Sequence, residues 1–144
     1  MDVADRIEEV RKLALSRLPE LIHDPNPEIR REVASRIDPC WFPELLSDSN
    51  PYVRATIVSR LHPSDVLLKQ LIQDPHWIVR FRAIQQIDAH LVPSRIKDPS
   101  EEVRWQVAVR AEPRYLAVLV FDNCFLVREQ AEDRIFNIAQ SPKI

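Results

Sequence analysis

Apolar residues return along this chain at helical spacing, in short blocks that stop and restart. Ile29, Val33 and Ile37 stand at i, i+4 and i+8, one stripe on a helix of about three turns. The same stripe reads Val53, Ile57, Leu61, then Val79, Ala83, Ile87, then Val103, Val107, Ala111. Between these blocks lie shorter apolar runs, at 41–46, 67–72, 91–96 and 115–120. Their three- and four-residue spacing, with Pro43 and Pro93 near the start, predicts one or two turns of α- or 3₁₀-helix and not strand. A helix this short is unstable alone in water, so each must bury its stripe against neighbours on both sides.

The polar positions keep the same period. Asp24, Asp48, Asp74, Asp98 and Asp122 are separated by 24, 26, 24 and 24 residues. Six positions after each comes Arg30, Arg54, Arg80, Arg104 or Arg128, and just before each arginine stands Ile29, Val53, Val79, Val103 or Val127. The two extra residues between Arg54 and Arg80 lengthen the short part of the second repeat. Asn26-Pro27 and Asn50-Pro51 are helix starts, with a capping side chain and a proline where no N–H is needed. Ser100-Glu101 is a variant, and His76 and Cys124 are weaker substitutes. Pro39, Pro63 and Pro113 stop the helices.

The pattern therefore predicts an all-α solenoid of about five 24-residue repeats, each an α-helix plus a short α/3₁₀ element, in a single repeat domain over 1–144. Residues 1–19 form an N-terminal cap, with a helix over 3–17: Arg6 and Leu13 keep the register, while Glu9 takes the core place of Val33. Tandem repeats occupy 20–135. In the C-terminal edge, 136–144, Phe136, Ile138 and Ile144 either fold back as a cap or mark a face that another surface covers.

The unit from Asp24 to Arg36, with its partners Asp74–Arg80 and Asp98–Arg104, resembles the bacterial leucine-rich repeat variant and, more loosely, HEAT-like repeats. That resemblance implies a longer α-helix followed by a 3₁₀-helix, no strand, and a right-handed superhelix. It implies no enzymatic reaction. Some members carry an N-terminal cysteine cluster for a [4Fe–4S] centre; this chain has no cysteine before Cys40, so no cluster is carried over and no cofactor is expected.

Composition narrows the choices further. The chain has 12 prolines and no glycine, which excludes a Gly-rich phosphate loop, a nucleophile elbow and primed hairpin turns. A net charge of −2, with no long block of one sign, gives no general attraction to nucleic acid. No window suits a membrane span. Cys40 and Cys124, far apart in sequence, read as two partly buried free thiols in a reducing cytoplasm, with a structural disulfide or a shared metal as the alternative. The four histidines, His23, His62, His76 and His90, fall at unrelated phases of the repeat and show no metal-ligand spacing.

Three columns carry candidate chemistry. On a helical wheel the arginines from Arg30 to Arg128 border the core stripe, where an aliphatic stem covers apolar surface while the guanidinium reaches an aspartate turn. This predicts a structural ladder of Asp24, Asp48, Asp74, Asp98 and Asp122 with those arginines; an anion-binding ladder is the alternative. A second column, Arg36, Arg60, Gln86, Arg110 and Arg134, suits the negative end of a helix or a basic ridge. The outward column departs from the repeat, placing Phe81 and Trp105 on adjacent helices with Val109 one turn from Trp105. Those three residues form a candidate protein-contact patch, with internal packing as the alternative. Trp41, Trp77, Tyr115 and Phe125 read as core fillers. The expected function is a non-catalytic protein-interaction or scaffold module. A HEAT-like nucleic-acid-binding or base-repair domain and a unit that self-assembles into a homo-oligomer through an open repeat end are the alternatives.

Overall fold

The computed structural model of the chain describes residues 1–62 and 64–141. Pro63, read as a helix stop, and Ile144, read as part of the C-terminal edge, lie outside the described residues. Among the described residues every regular element is helical. The chain divides into two compact units, Met1–Leu61 and His62–Ile144. The division falls within the repeat that carries the two extra residues.

In the first unit α1 (Val3–Lys12), α2 (Pro27–Arg36) and α4 (Pro51–Val58) are the longer helices. A 3₁₀ segment, Leu15–Leu21, connects α1 to α2, and Pro39–Trp41 runs into the single turn of α3 (Phe42–Leu45) before α4. α2 packs against both α1 and α4, and the 3₁₀ segment lies against α2. The second unit repeats this alternation. Short α5 (Val66–Leu71) precedes α6 (Trp77–Gln86), the 3₁₀ segment Ala89–Arg95 precedes α7 (Glu101–Arg110), and α8 (Pro113–Leu119) precedes α9 (Phe125–Gln140). Here α7 packs between α6 and α9, and each short element packs on the longer helix that follows it.

Helix entry is the same device each time. The aspartate Oδ1 accepts the amide two residues on: Asn26 from Asp24, Asn50 from Asp48, His76 from Asp74, Ser100 from Asp98 and Cys124 from Asp122. Asn26 and Asn50 then cap the amides of Glu28 and Tyr52. His76 caps through Nδ1, while Cys124 makes no side-chain cap. Helix exit uses extended backbone at Ile37 and Asp38 before Pro39, a conformation that a following proline favours. No described residue has a positive φ, so these turns need no glycine.

The stripe from Ile29 to Val107 is buried, against Leu18, Leu45, Leu68, Val92 and Leu116 of the short elements. A second column, Ala34, Val58, Ile84 and Ala108, is equally buried. The sequence reading left it out of the core, because a single amphipathic stripe does not register that a helix stacked on both sides is covered around most of its circumference.

Three expectations need correction, and one alternative left open is narrowed. The first helix ends at Lys12, not near 17, and the chain goes directly into the 3₁₀ segment whose Leu18 is fully buried. Phe125 is no core filler: it takes the exposed helix-start place of Glu101 and is itself 60% exposed. Phe136 and Ile138 do not fold back, since α9 continues to Gln140 with both exposed. Asn137 stands where Pro39 and Pro113 stop other helices, so nothing breaks this one. Finally, Cys40 is exposed and Cys124 half-buried, both as free thiols.

Candidate protein-contact surface and the arginine ladders that position it

The first arginine column joins two aspartates at once. Arg30 donates from Nε and Nη2 to the two carboxylate oxygens of Asp48, at 2.7 and 2.9 Å, and from Nη1 to the Asp24 carbonyl at 2.8 Å. Arg80 does the same with Asp98, at 2.8 Å twice, and with the Asp74 carbonyl at 2.9 Å. Arg104 grips Asp122 at 2.7 and 3.0 Å and the Asp98 carbonyl at 2.8 Å. At the start of the chain Arg6 pairs with Asp24 through one nitrogen. Each fork thus ties its own helix-start turn to the aspartate eighteen residues ahead. The geometry is the planar, two-pronged match that arginine makes and lysine does not.

Charge follows contact. The hydrogen bonds to Asp48, Asp98 and Asp122 raise the pKa of Arg30, Arg80 and Arg104. Burial pushes the Asp48 and Asp122 carboxyls up, but the arginine forks, together with the Asn50 and Cys124 amides, outweigh it and hold both below the usual carboxylate range.

The second arginine column reaches in the opposite direction. Arg36 donates to the carbonyls of Val10 and Leu13, Arg60 to Ala34, Arg110 to Ile84, and Arg134 to Ala108 and Ala111. These acceptors are carbonyls at the C-terminal end of the preceding long helix, where a cation is favoured; that of Val10 also accepts the Leu13 amide at 3.1 Å. Burial lowers the pKa of Arg60 and Arg110, in contrast to the carboxylate-paired column. Arg60 also lies over the Phe42 ring, 4.7 Å from its centre. From sequence this column offered only a helix-end role on its own helix or a basic ridge. The cross-helix acceptor is a main-chain group and leaves no residue-type signal.

Phe81 on α6 and Trp105 on α7 line one cavity of about 210 Å³ in the second unit, with Glu101, Glu102, Cys124 and Leu126. Trp105 is 36% exposed, Phe81 half-buried and Leu126 largely exposed. Phe81 is held edge-on by Trp77, 6.3 Å between ring centres, and Trp77 stacks in turn on His76. Val109, the third residue of the sequence patch, is half-buried and outside this lining. The sequence reading missed Leu126 and the two glutamates. The Ser100 hydroxyl donates to Glu102 at 2.6 Å and lowers its pKa, which keeps a carboxylate charged at the rim.

The chain is similar to a solved structure described as a leucine-rich repeat variant with a novel repetitive protein structural motif. The TM-score is 0.82 at 25% sequence identity, over 99% of this chain and 62% of that one. No protein-family model matches the chain, and no curated protein matches it. The likeness is to a related all-α repeat fold, and this chain spans less than two thirds of that relative's length.

Among the described residues no three His, Cys, Asp or Glu side chains cluster as metal ligands. His23 meets Glu44 at 2.9 Å on an exposed surface, and His76 is engaged as a helix cap. A larger polar groove in the first unit, about 440 Å³, runs over Asp24, Arg30 and Asp48, groups that already satisfy one another. No helix among the described residues is long and apolar enough to cross a membrane.

Proposed function

We propose that this chain is a non-catalytic protein-interaction or scaffold module of the leucine-rich repeat variant type. In this reading it is a single right-handed solenoid of about five 24-residue repeats that works in the cytoplasm and uses no cofactor. The observation that carries the proposal is the Phe81–Trp105 cavity. The regular columns of the repeat are consumed in holding the helices, whereas this apolar, acid-rimmed hollow forms where the sequence departs from the repeat. Aromatic anchors in small apolar hollows supply most of the energy at protein interfaces. The residues assigned to contact are Phe81 and Trp105, with Val109 beside them.

The nucleic-acid alternative required a free basic stripe at Arg36, Arg60 and Arg110. Those guanidinium groups donate to main-chain carbonyls, which counts against it.

The test is a quantitative affinity capture from the source cell with the wild type and the Phe81→Ala/Trp105→Ala double variant, both shown to be folded by circular dichroism. Selective loss of specific proteins from the variant is expected. Equal recovery of every protein by both forms would sink the patch, and tight salt-dependent DNA binding would overturn the class.

A further inference from the structure

The Phe81–Trp105 hollow has a counterpart in the first unit, and the two differ in how their charges are met. The counterpart, about 350 Å³, is lined by residues that include Arg11, Glu28, Arg31 and Glu32. Arg31 stands in the column of Phe81 and Trp105, and Glu28 in that of Glu102 and Leu126. This lining holds both signs of charge and pairs them within the unit: Arg11 lies 2.6 Å from Glu8 and 3.4 Å from Glu32. In the second unit the two charged residues of the lining, Glu101 and Glu102, are both acidic. Neither makes an ion pair among the described residues.

The arginines along the same helices turn to other acceptors. Arg104 forks Asp122 and feels the two glutamates only through its field. Arg128 donates to the carbonyls of Asp122 and Asn123, and Arg82 to Gln85. The Ser100 hydroxyl keeps Glu102 charged. Glu129, next after Trp105 in the outward column, is exposed and adds a third carboxylate to that column.

Size and spacing set the kind of occupant. A hollow of about 210 Å³ is smaller than the roughly 300–1,000 Å³ of small-molecule sites and takes one bulky side chain. Glu101 and Glu102 precede Trp105 by about one helical turn, roughly 5.4 Å along α7. An extended chain advances about 3.3 Å per residue, so a cation one or two residues from the seated side chain reaches both carboxylates. Aromatic walls favour a cation as well.

We infer that the hollow takes a basic protein segment: one bulky apolar side chain seated against Phe81 and Trp105, with a lysine or arginine one or two residues away meeting Glu101 and Glu102. This rests on the reading of the hollow as a protein-contact site. The same carboxylates repel acidic segments and nucleic-acid phosphate.

The probe is a displayed library of random linear peptides selected on the full chain, the winners being resynthesised and titrated by fluorescence anisotropy. Winners should carry a bulky apolar residue with a lysine or arginine at that spacing. Trp105→Ala should weaken their binding about tenfold, and Glu101→Gln/Glu102→Gln about fivefold. Reselection on Glu101→Lys/Glu102→Lys should turn the preference to acidic peptides, a gain that misfolding cannot imitate. Bound peptide should also slow alkylation of Cys124, which lines the hollow, and leave exposed Cys40 unaffected; this measurement needs no variant. Winners without a basic bias, or equal binding by the glutamine variant, overturn the basic partner. If those winners still lose binding to Trp105→Ala, the hollow stands as a contact site. Winners that ignore Trp105→Ala and leave Cys124 unprotected overturn the partner and the contact site together. A library that yields no binder overturns the proposal.

Discussion

The helices α1 and α9 bury different faces of the same repeat helix. In α1 the places of the core stripe are Asp5 and Glu9, both exposed, while Val10, in the column of Ala34, is buried. In α9 the stripe residues Val127 and Ala131 are fully buried, while Glu132, in the Val10 column, is exposed. α8 packs on α9, and its Leu116 and Leu119 are buried. The stripe is therefore what a long helix offers to the short element before it. The Val10 column is what it offers to the next long helix. An internal helix such as α7 needs both, and Val103, Val107 and Ala108 are all fully buried.

Changing an arginine that forks a buried carboxylate and one that donates only to main-chain carbonyls should separate these contacts most sharply. Arg80→Ala leaves Asp98, whose side chain is fully buried, without its fork. The expected loss is about 3–5 kcal/mol in urea unfolding of the full chain. Arg128→Ala, which abandons no carboxylate, should cost about 1 kcal/mol or less. Similar losses for the two would refute the distinction between carboxylate-paired and carbonyl-bound arginines.

Acid should attack the closed rungs next. Asp48 and Asp122 have folded-state pKa values below the ordinary one, so the native state binds fewer protons than the unfolded chain near that value. Their stabilisation is complete above the unfolded value of about 3.9 and is lost as pH falls through the depressed folded values. Stability measured from pH 6 downward should therefore hold until near pH 4 and fall beneath it. The Asp48→Asn/Asp122→Asn variant should start less stable and show a shallower fall.

Smaller effects test the two faces of the terminal helices. Val10→Ala removes buried methyl groups from the α1–α2 contact and should cost about 1–2 kcal/mol by thermal melting. Glu132→Leu restores an apolar residue at an uncovered place, so stability should change by no more than about 0.5 kcal/mol. A gain in self-association by sedimentation is its expected signature. A large stability change from Glu132→Leu would mean that this face is already covered.

Much of this organisation was legible in the chain. The aspartate-to-arginine interval, the proline-marked helix ends and the i, i+4 stripe each report a local requirement: a capped turn, a missing N–H, a face turned from water. The residues of the candidate surface were half legible. Phe81 and Trp105 stood out as large aromatics in a column that is polar or small elsewhere. Leu126 did not, since its column reads Glu28, Tyr52, Ile78 and Glu102 and has no pattern to break. Phe125 misled because an aromatic at a helix start looks the same whether a neighbour covers it or not.

By itself the sequence determined the period, the helical elements, the helix-start turns and which residues border each stripe, because these follow from spacing along one helix and from the chemistry of neighbours in the chain. Tertiary structure decided which aspartate each arginine holds, that the second arginine column binds carbonyls of the preceding helix, and that Glu132 and Ile135 are exposed. Those facts depend on what stands across a helix–helix contact. Main-chain acceptors and uncovered faces have no residue letter of their own.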